Sequence, residues 1–540
     1  MTRHSLLDSL DRRPLHGVAI ALLLGGVASL LRGKDTNWDL RNYHFYNPWA
    51  WWNDRLYWDY APAQVQSYYS PLLDVPFFAL VSSHLPAFAI TFLMGIPFGA
   101  AAWFFYRIAR FAVDDLQVER KGPALGAILL VALTGAAGLS QIGSTMNEWA
   151  TAALVMAALF LVVRAVRRDD SLDAWIGGAA GLLCGVATGL KLTAAIYAVA
   201  LAIAFVMCCR GRPGFGRAAI ALMAAMLAGF LVAYGYWGAV MWERFGNPFY
   251  PYFNGVFRSA YWEPGSFFDA KFHPPTLARW ITLPFGLAER NRLASEADLR
   301  DPRLALLCVF AVVLAASLMR EARASRVGFM TALRRAMPPS LRLLAVFAGV
   351  AYLVWLVVFT IYRYAIPLEL TASLLLVLAM RSAFAGARRR DALVALAAAL
   401  IVAVTVEPYW GRSRVHAGRY IDVHVPAIPA DSLVLTMTGQ PFGYVVPFLP
   451  SGTRVIAPSS NFTSALYENR MQREMAALIE AHRGPLYAIR YLDADDAVEE
   501  ATMKAYGLRR VEDGCQAIRS NLEGGRPLGL CPLFRRGAGP

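Results

Sequence analysis

The chain has 540 residues, 57% of them hydrophobic and 17% charged, with a formal net charge of +14. A soluble domain carries about 25% charged and about 45–50% apolar residues. Here the apolar runs recur, are often apolar all round and are long enough for a ~30 Å hydrocarbon core, which excludes one large soluble core and indicates a polytopic α-helical membrane protein. The cations sit in short loops between those runs, the positive-inside pattern, so the basic balance does not point to nucleic acid.

The first residues, with Arg3, Arg12 and Arg13, read as cytoplasmic. The run 18–31 reads as a retained first helix rather than a signal peptide, because no small-residue cleavage site is clear and Arg32 and Lys34 follow closely. Residues 37–78 are dense in Trp and Tyr, punctuated by proline, and carry Asp39, Asp54, Asp59 and Asp74. Trp and Tyr favour the membrane–water interface, where the ring is buried and the polar tip stays wet.

Further spans are predicted at 87–106, 123–139, 149–166, 174–190, 193–207, 218–241, 304–318, 343–362, 364–380 and 392–406, about eleven in all. Five cationic clusters then fall on one side, which is expected to be cytoplasmic: Arg107 to Lys121, Arg164 to Arg168, Arg210 to Arg217, Arg320 to Arg335 and Arg381 to Arg390. They read as topology signals and lipid-headgroup contacts. The expected setting is a bacterial inner membrane, with the N-terminus cytoplasmic and the C-terminus periplasmic.

Three exterior segments are expected: a loop at 32–86, a second at 242–303, and everything after Pro408. The division is a transmembrane catalytic domain, 1–408, and a small α/β domain, 409–540. In the latter, 433–437, 453–457 and 486–492 read as strands, and 465–481 and 495–505 as helices. Cys184, Cys208, Cys209 and Cys308 lie in or beside apolar runs and read as small hydrophobes. Cys515 and Cys531 lie in the polar C-terminal segment, where an oxidising exterior permits a disulfide.

Asp39, just outside the first span, is a candidate general base for an acceptor hydroxyl, or else an interfacial acid paired with Arg41 or Arg55. Glu148 opens the fourth span on the same side, as a second catalytic acid or as a charge favoured by the helix dipole. Two such carboxylates can divide base and orienting roles, or share a divalent metal, though no metal-ligand spacing supports the metal. Lys191 lies where two apolar runs meet, placed to hold a phosphate or to snorkel. Arg363 and Tyr364 occupy another short exterior turn, and Arg is the preferred bidentate partner of a phosphate, with Glu369 a nearby alternative partner. His44, Tyr46, Gln64 and Gln66 are candidate sugar or headgroup contacts. No Gly-rich phosphate loop or nucleotide-sugar motif stands out.

In order and sidedness these residues resemble the GT-C superfamily of integral-membrane glycosyltransferases, which includes protein O-mannosyltransferases and lipid A aminoarabinose transferases. Asp39 matches the position of the family's first acid. Glu148 matches the place of a second acid, Lys191 a lysine after a small-residue helix, and Arg363-Tyr364 with Pro367 an Arg-Tyr…Pro signature. Ser70-Pro71 leads the stretch where the family has a juxtamembrane helix. Two departures stand out: Ser70 replaces a Lys found in some relatives, and Leu40 follows Asp39 where several have an acid pair. The resemblance implies a polyprenyl-phosphate-linked monosaccharide as donor, a lipid, glycan or protein as acceptor, Asp39 as base, and inversion at the anomeric carbon. The competing readings are a lipid-linked-sugar transporter, which would need related halves with broken helices at the midplane, and a non-catalytic scaffold with an exterior binding domain.

Overall fold

The computed structural model describes residues 13–167, 171–265, 270–511 and 514–536. Arg3, Arg12 and Arg168 lie outside them. Every predicted span forms a helix. In chain order the main helices are α1 (Pro14–Arg32), two short helices of the aromatic loop, α2 (Tyr46–Trp52) and α3 (Val75–Ser82), then α4 (Ala87–Asp115), α5 (Lys121–Leu133), α6 (Glu148–Val166) and α7 (Ala174–Leu190). There follow α8 (Ala195–Cys209), α9 (Phe215–Phe245), α10 (Leu277–Gly286), α11 (Arg303–Ala324), α12 (Pro339–Val358), α13 (Ile366–Ala383) and α14 (Arg390–Val404). Among the described residues eight helices are long and apolar enough to cross a membrane, so the chain is a multi-pass membrane protein. Helices α5 and α7 are apolar but shorter, at 13 and 17 residues, and α14 has 15.

The boundaries differ from the apolar runs for physical reasons. The run predicted to 106 continues to Asp115, because Arg107 lies over the rings of Trp103 and Phe111 and Arg110 pairs with Asp114. The run predicted to 139 breaks after Leu133, where the Glu369 carboxylate accepts from the backbone N–H of Ala137 (2.9 Å) and Gly138 (3.0 Å) and so starts a new turn. Helix α9 outruns its apolar core at both ends. It packs closely along α7. A Cβ at Gly177, Gly181 or Gly185 would lie 2.2, 2.1 or 2.0 Å from a carbonyl oxygen of α9, so only glycine permits this approach.

The helix ends sort into two faces. At one, Asp115 receives Arg167 and Ser340, and Asp391 receives Arg381. This is the arginine-rich face. At the other, Arg303 of α11 reaches the Val131 carbonyl and the Thr405 hydroxyl, both at 2.9 Å.

The C-terminal domain lies at this second face. Strands 433–437, 453–457 and 486–492 of the expectation appear as β4 (Leu433–Leu435), β5 (Arg454–Ile456) and β6 (Leu486–Tyr491), and the helices as α15 (Arg470–Ala481) and α16 (Ala497–Ala505). Further strands were not foreseen: β1 (Lys34–Asp35), β2 (Arg412–Ser413), β3 (Val423–His424), β7 (Leu508–Arg510), β8 (Gln516–Ser520) and β9 (Leu528–Arg535). The main sheet runs β3-β8-β9-β6-β4-β5, with β7 also on β9. Strands β5, β4 and β6 are mutually parallel and β9 antiparallel to them. Cys515 and Cys531 form a disulfide.

The aromatic loop is not spread along an interface as expected. Leu40, Tyr43, Phe45 and Tyr46 pack in one core with Val434, Phe442, Tyr444 and Val445 of the C-terminal domain, while Trp52, Tyr57 and Trp58 stay exposed. Tyr60 bridges to Ile456 as an extra rung at the sheet edge, and β1 pairs with β2. Aromatic loop and C-terminal domain thus fold as one layer over the helix ends.

Candidate active site

The first carboxylate is placed by a rare turn. Asp39 precedes a single π-turn, Leu40–His44, a geometry that concentrates at functional sites. Asn37 starts the turn by accepting from Leu40 N–H at 2.6 Å. The Asn37 amide donates to Asp35 at 2.7 Å, and Asp35 accepts from both the backbone and the hydroxyl of Thr145 at 2.8 Å. Asp35 and Asn37, which sequence reasoning passed over, therefore clamp the Asp39 turn to the loop before α6. Both are fully buried.

Two ion pairs then meet. Arg363 Nη1 donates to Asp39 Oδ2 at 3.0 Å. Lys191 Nζ pairs with Glu148 Oε1 and donates to the Met146 carbonyl at 2.7 Å. The Tyr364 ring stands beside both cations, 5.3 Å from the Arg363 guanidinium and 5.7 Å from Lys191 Nζ. The Arg363 carbonyl is held by Gln141 Nε2 at 2.9 Å, and the Tyr364 carbonyl by the Tyr197 hydroxyl at 2.6 Å. A small pocket lined by Glu148, Thr151, Thr193, Tyr197, Tyr364 and Pro367 adjoins the pairs. Asp39, Glu148, Lys191 and the adjacent Arg363 and Tyr364 thus come from four distant stretches to one place at one end of the helices.

The alternatives weighed for these residues resolve differently. Arg41 pairs with Glu523 and Arg55 with Asp59, so neither holds Asp39. Glu369 caps the turn at Ala137 and leaves Arg363 to Asp39. Asp39 and Glu148 each pair with a cation. Among the described residues no group of three or more His, Cys, Asp or Glu is placed to hold a metal.

His44 lies at the site, its Nδ1 2.7 Å from Asp74 Oδ1. Tyr46 does not: its hydroxyl donates to Asp59 at 3.2 Å, inside a knot where Arg55 also binds the Ser451 and Thr453 carbonyls. Gln64 donates to the Gly439 carbonyl, and Gln66 accepts from Asn42. Asp74 is a site group that went unselected. It lies just before α3, accepts from Asn147 Nδ2 at 2.6 Å and feels the charge of Lys191. Burial raises its pKa, opposed first by His44 and then by Lys191 and Asn147. The signal available was its place three residues after Pro71, at the head of the expected juxtamembrane helix. Tyr69 completes the wall, hydroxyl to hydroxyl with Tyr252 at 2.6 Å; Tyr252 comes from the segment after α9.

No protein-family model matches the chain, and no curated protein sequence matches it either. Among solved structures the chain is similar to the crystal structure of the Archaeoglobus fulgidus oligosaccharyltransferase tethered with an acceptor peptide containing the NVT sequon. The two are 12% identical with a TM-score of 0.43, over 89% of this chain and 69% of that chain.

Proposed function

We propose that the protein is a membrane glycosyltransferase that moves a monosaccharide from a polyprenyl-phosphate carrier to a hydroxyl of a cell-envelope lipid, glycan or protein. The observation that carries this reading is the pairing of Asp39 with Arg363 and of Glu148 with Lys191 around the Tyr364 ring. Two partly enclosed cations beside a carboxylate suit a reaction in which negative charge develops on a phosphate while a hydroxyl loses its proton.

When the carrier phosphate enters, Arg363 and Lys191 turn to its oxygens, and Asp39 is released to accept the acceptor's proton. The acceptor oxygen bonds to the anomeric carbon. The bond from that carbon to the phosphate oxygen breaks, and its electron pair leaves with the phosphate, where the two cations offset it. One displacement inverts the configuration. Glu148 holds Lys191 between turnovers. On the positive-inside rule the arginine-rich face is cytoplasmic, which sets the site and the C-terminal domain on the periplasmic side of a bacterial inner membrane.

The test is mass spectrometry of envelope lipids and glycans from a strain lacking the gene. Loss of a hexose, pentose or uronic-acid increment is expected, restored by the intact gene and not by Asp39→Asn. An unchanged glycolipid and glycan profile would reject the reading.

A further inference from the structure

The site holds one more acid–base pair, His44 with Asp74, which the displacement above leaves idle. Asp74 Oδ1 accepts from Asn147 Nδ2 at 2.6 Å and lies 2.7 Å from His44 Nδ1. An oxygen that already accepts from an amide is an acceptor for the ring as well, so Nδ1 carries the proton and the neutral imidazole keeps its lone pair on Nε2. Nε2 is buried and has no hydrogen-bond partner among the described residues. Leaving a buried acceptor without a donor costs about 1–3 kcal/mol, and such a group in a native structure calls for a functional account.

The backbone brings His44 and the proposed base to the two ends of one turn. A π-turn closes on residue i+5, so Asp39 and His44, at the two ends of the turn, return to one face. Tyr43 lies between them in sequence. Its ring is 4.0 Å from that of His44, and its hydroxyl feels the charges of both Asp39 and Asp74. We propose that His44, oriented by Asp74, takes up the proton that Asp39 receives from the acceptor, and so restores the Asp39 carboxylate for the next turnover. Freed from Arg363, the Asp39 carboxylate turns to Nε2, which has no partner among the described residues at rest; an O–H bond breaks at Asp39, an N–H bond forms at His44 Nε2, and the imidazolium stands against Asp74 until the proton leaves with the product. The inference rests on the transfer reading above.

Several charged or titratable groups face the pair. Asp39 and Tyr43 come from its own turn and Tyr69 from later in the loop, edge-on to Tyr43. Lys191 at the end of α7 bears on Asp74, and Arg363 bears on Tyr43.

The test measures initial rates of the full-length protein in envelope vesicles from its own organism, with undecaprenyl-phosphate-linked hexose and pentose as donors, across pH. His44→Gln is expected to lower kcat by at least about tenfold at neutral pH, to leave the donor KM unchanged, and to remove the fall in rate on acidification. Asp74→Asn should act in the same direction. A uniform drop with the pH profile intact, or no drop, would show a structural role only and overturn the relay while leaving transfer standing. Nitrogen NMR of the resting protein gives a second readout: an Nδ1-protonated His44 is expected, and an Nε2-protonated one overturns the relay. If the unsubstituted protein transfers from none of these donors, the transfer reading falls and the relay with it.

Discussion

Arg41 and Glu523 stand 482 residues apart in the chain and meet at 2.8 Å, guanidinium to carboxylate. Glu523 also accepts from the hydroxyls of Tyr444 and Tyr491, each at 2.6 Å. Because Arg41 belongs to the turn Leu40–His44, the C-terminal domain grips the same turn that carries Asp39 and His44. Removing one partner of a buried pair costs about 3–5 kcal/mol; the Arg41 side chain is 20% exposed, so the lower end applies. Glu523→Ala is expected to lower the melting temperature in detergent and to reduce transfer together, although Glu523 touches no substrate. A melting temperature equal to that of the parent protein would remove this grip as a stabilising element.

Asp39→Asn keeps the shape of the side chain and can still accept from Arg363, but it cannot take a proton at neutral pH. Transfer is expected to fall by about 10²–10⁴ while membrane insertion and melting temperature hold. The reading is checked by comparing turnover with the melting curve of the same preparation. Full turnover from Asp39→Asn would take the base role away from Asp39.

Glu148 and Lys191 act on each other as well as on the donor, and a cycle of three variants separates the two effects. Lys191→Met leaves the Glu148 carboxylate buried without its cation, so both stability and donor use should fall. Glu148→Gln with Lys191→Met removes both charges, and stability should recover by about 0.5–3 kcal/mol relative to the sum of the single changes. Donor KM should stay raised in the double variant, since the phosphate still lacks its lysine. Recovery of donor KM along with stability would mean that Lys191 serves only Glu148.

Much of the site was legible because it follows from sidedness. Apolar runs gave the helix order, helix order gave the face on which Asp39, Glu148, Lys191 and Arg363 lie, and a membrane protein confines such charges to few places. Asp74 was passed over because it shares an acidic, aromatic loop with Asp54 and Asp59, one at a positive-φ turn and the other in the Arg55 knot, and only its place just after Pro71 sets it apart. Tyr46 looked like a ligand contact because its partner Asp59 is thirteen residues away and ties to residues near 453. The strands β7, β8 and β9 were missed because their neighbours supply what they lack: β9 is buried over most of its length and shows no alternation to read.

The glycine seam between α7 and α9 offers a stability test remote from the site. A Cβ at Gly181 would fall 2.1 Å from the Leu222 carbonyl oxygen, whereas the nearest neighbour of a Cβ at Gly178 is 4.0 Å away. Gly181→Leu is expected to force the helices apart at a cost of about 1–3 kcal/mol or more, while Gly178→Ala should be near neutral. Melting in detergent reads both. Equal tolerance at the two positions would contradict the seam.

Lys34 is a basic group held where charge is disfavoured. It is fully buried just past α1, its ammonium has no hydrogen-bond partner among the described residues, and it lies 5.2 Å from the centre of the Tyr420 ring. Burial lowers its pKa from 10.5 to about 8, against the opposing pull of Asp35 and then Asp422. Between those two values the unfolded chain holds a proton that the folded chain has released, so stability rises with pH across that window. Below about pH 8 both states are protonated and the folded protein carries the full cost of the charge, up to about 3 kcal/mol at ~1.4 kcal/mol per unit. Lys34→Met should therefore raise the melting temperature at pH 7 and flatten its rise between pH 8 and pH 10. A parent protein whose melting temperature does not change over that range, or a Lys34→Met variant that melts lower at pH 7, would show that Lys34 has a partner worth more than its burial costs.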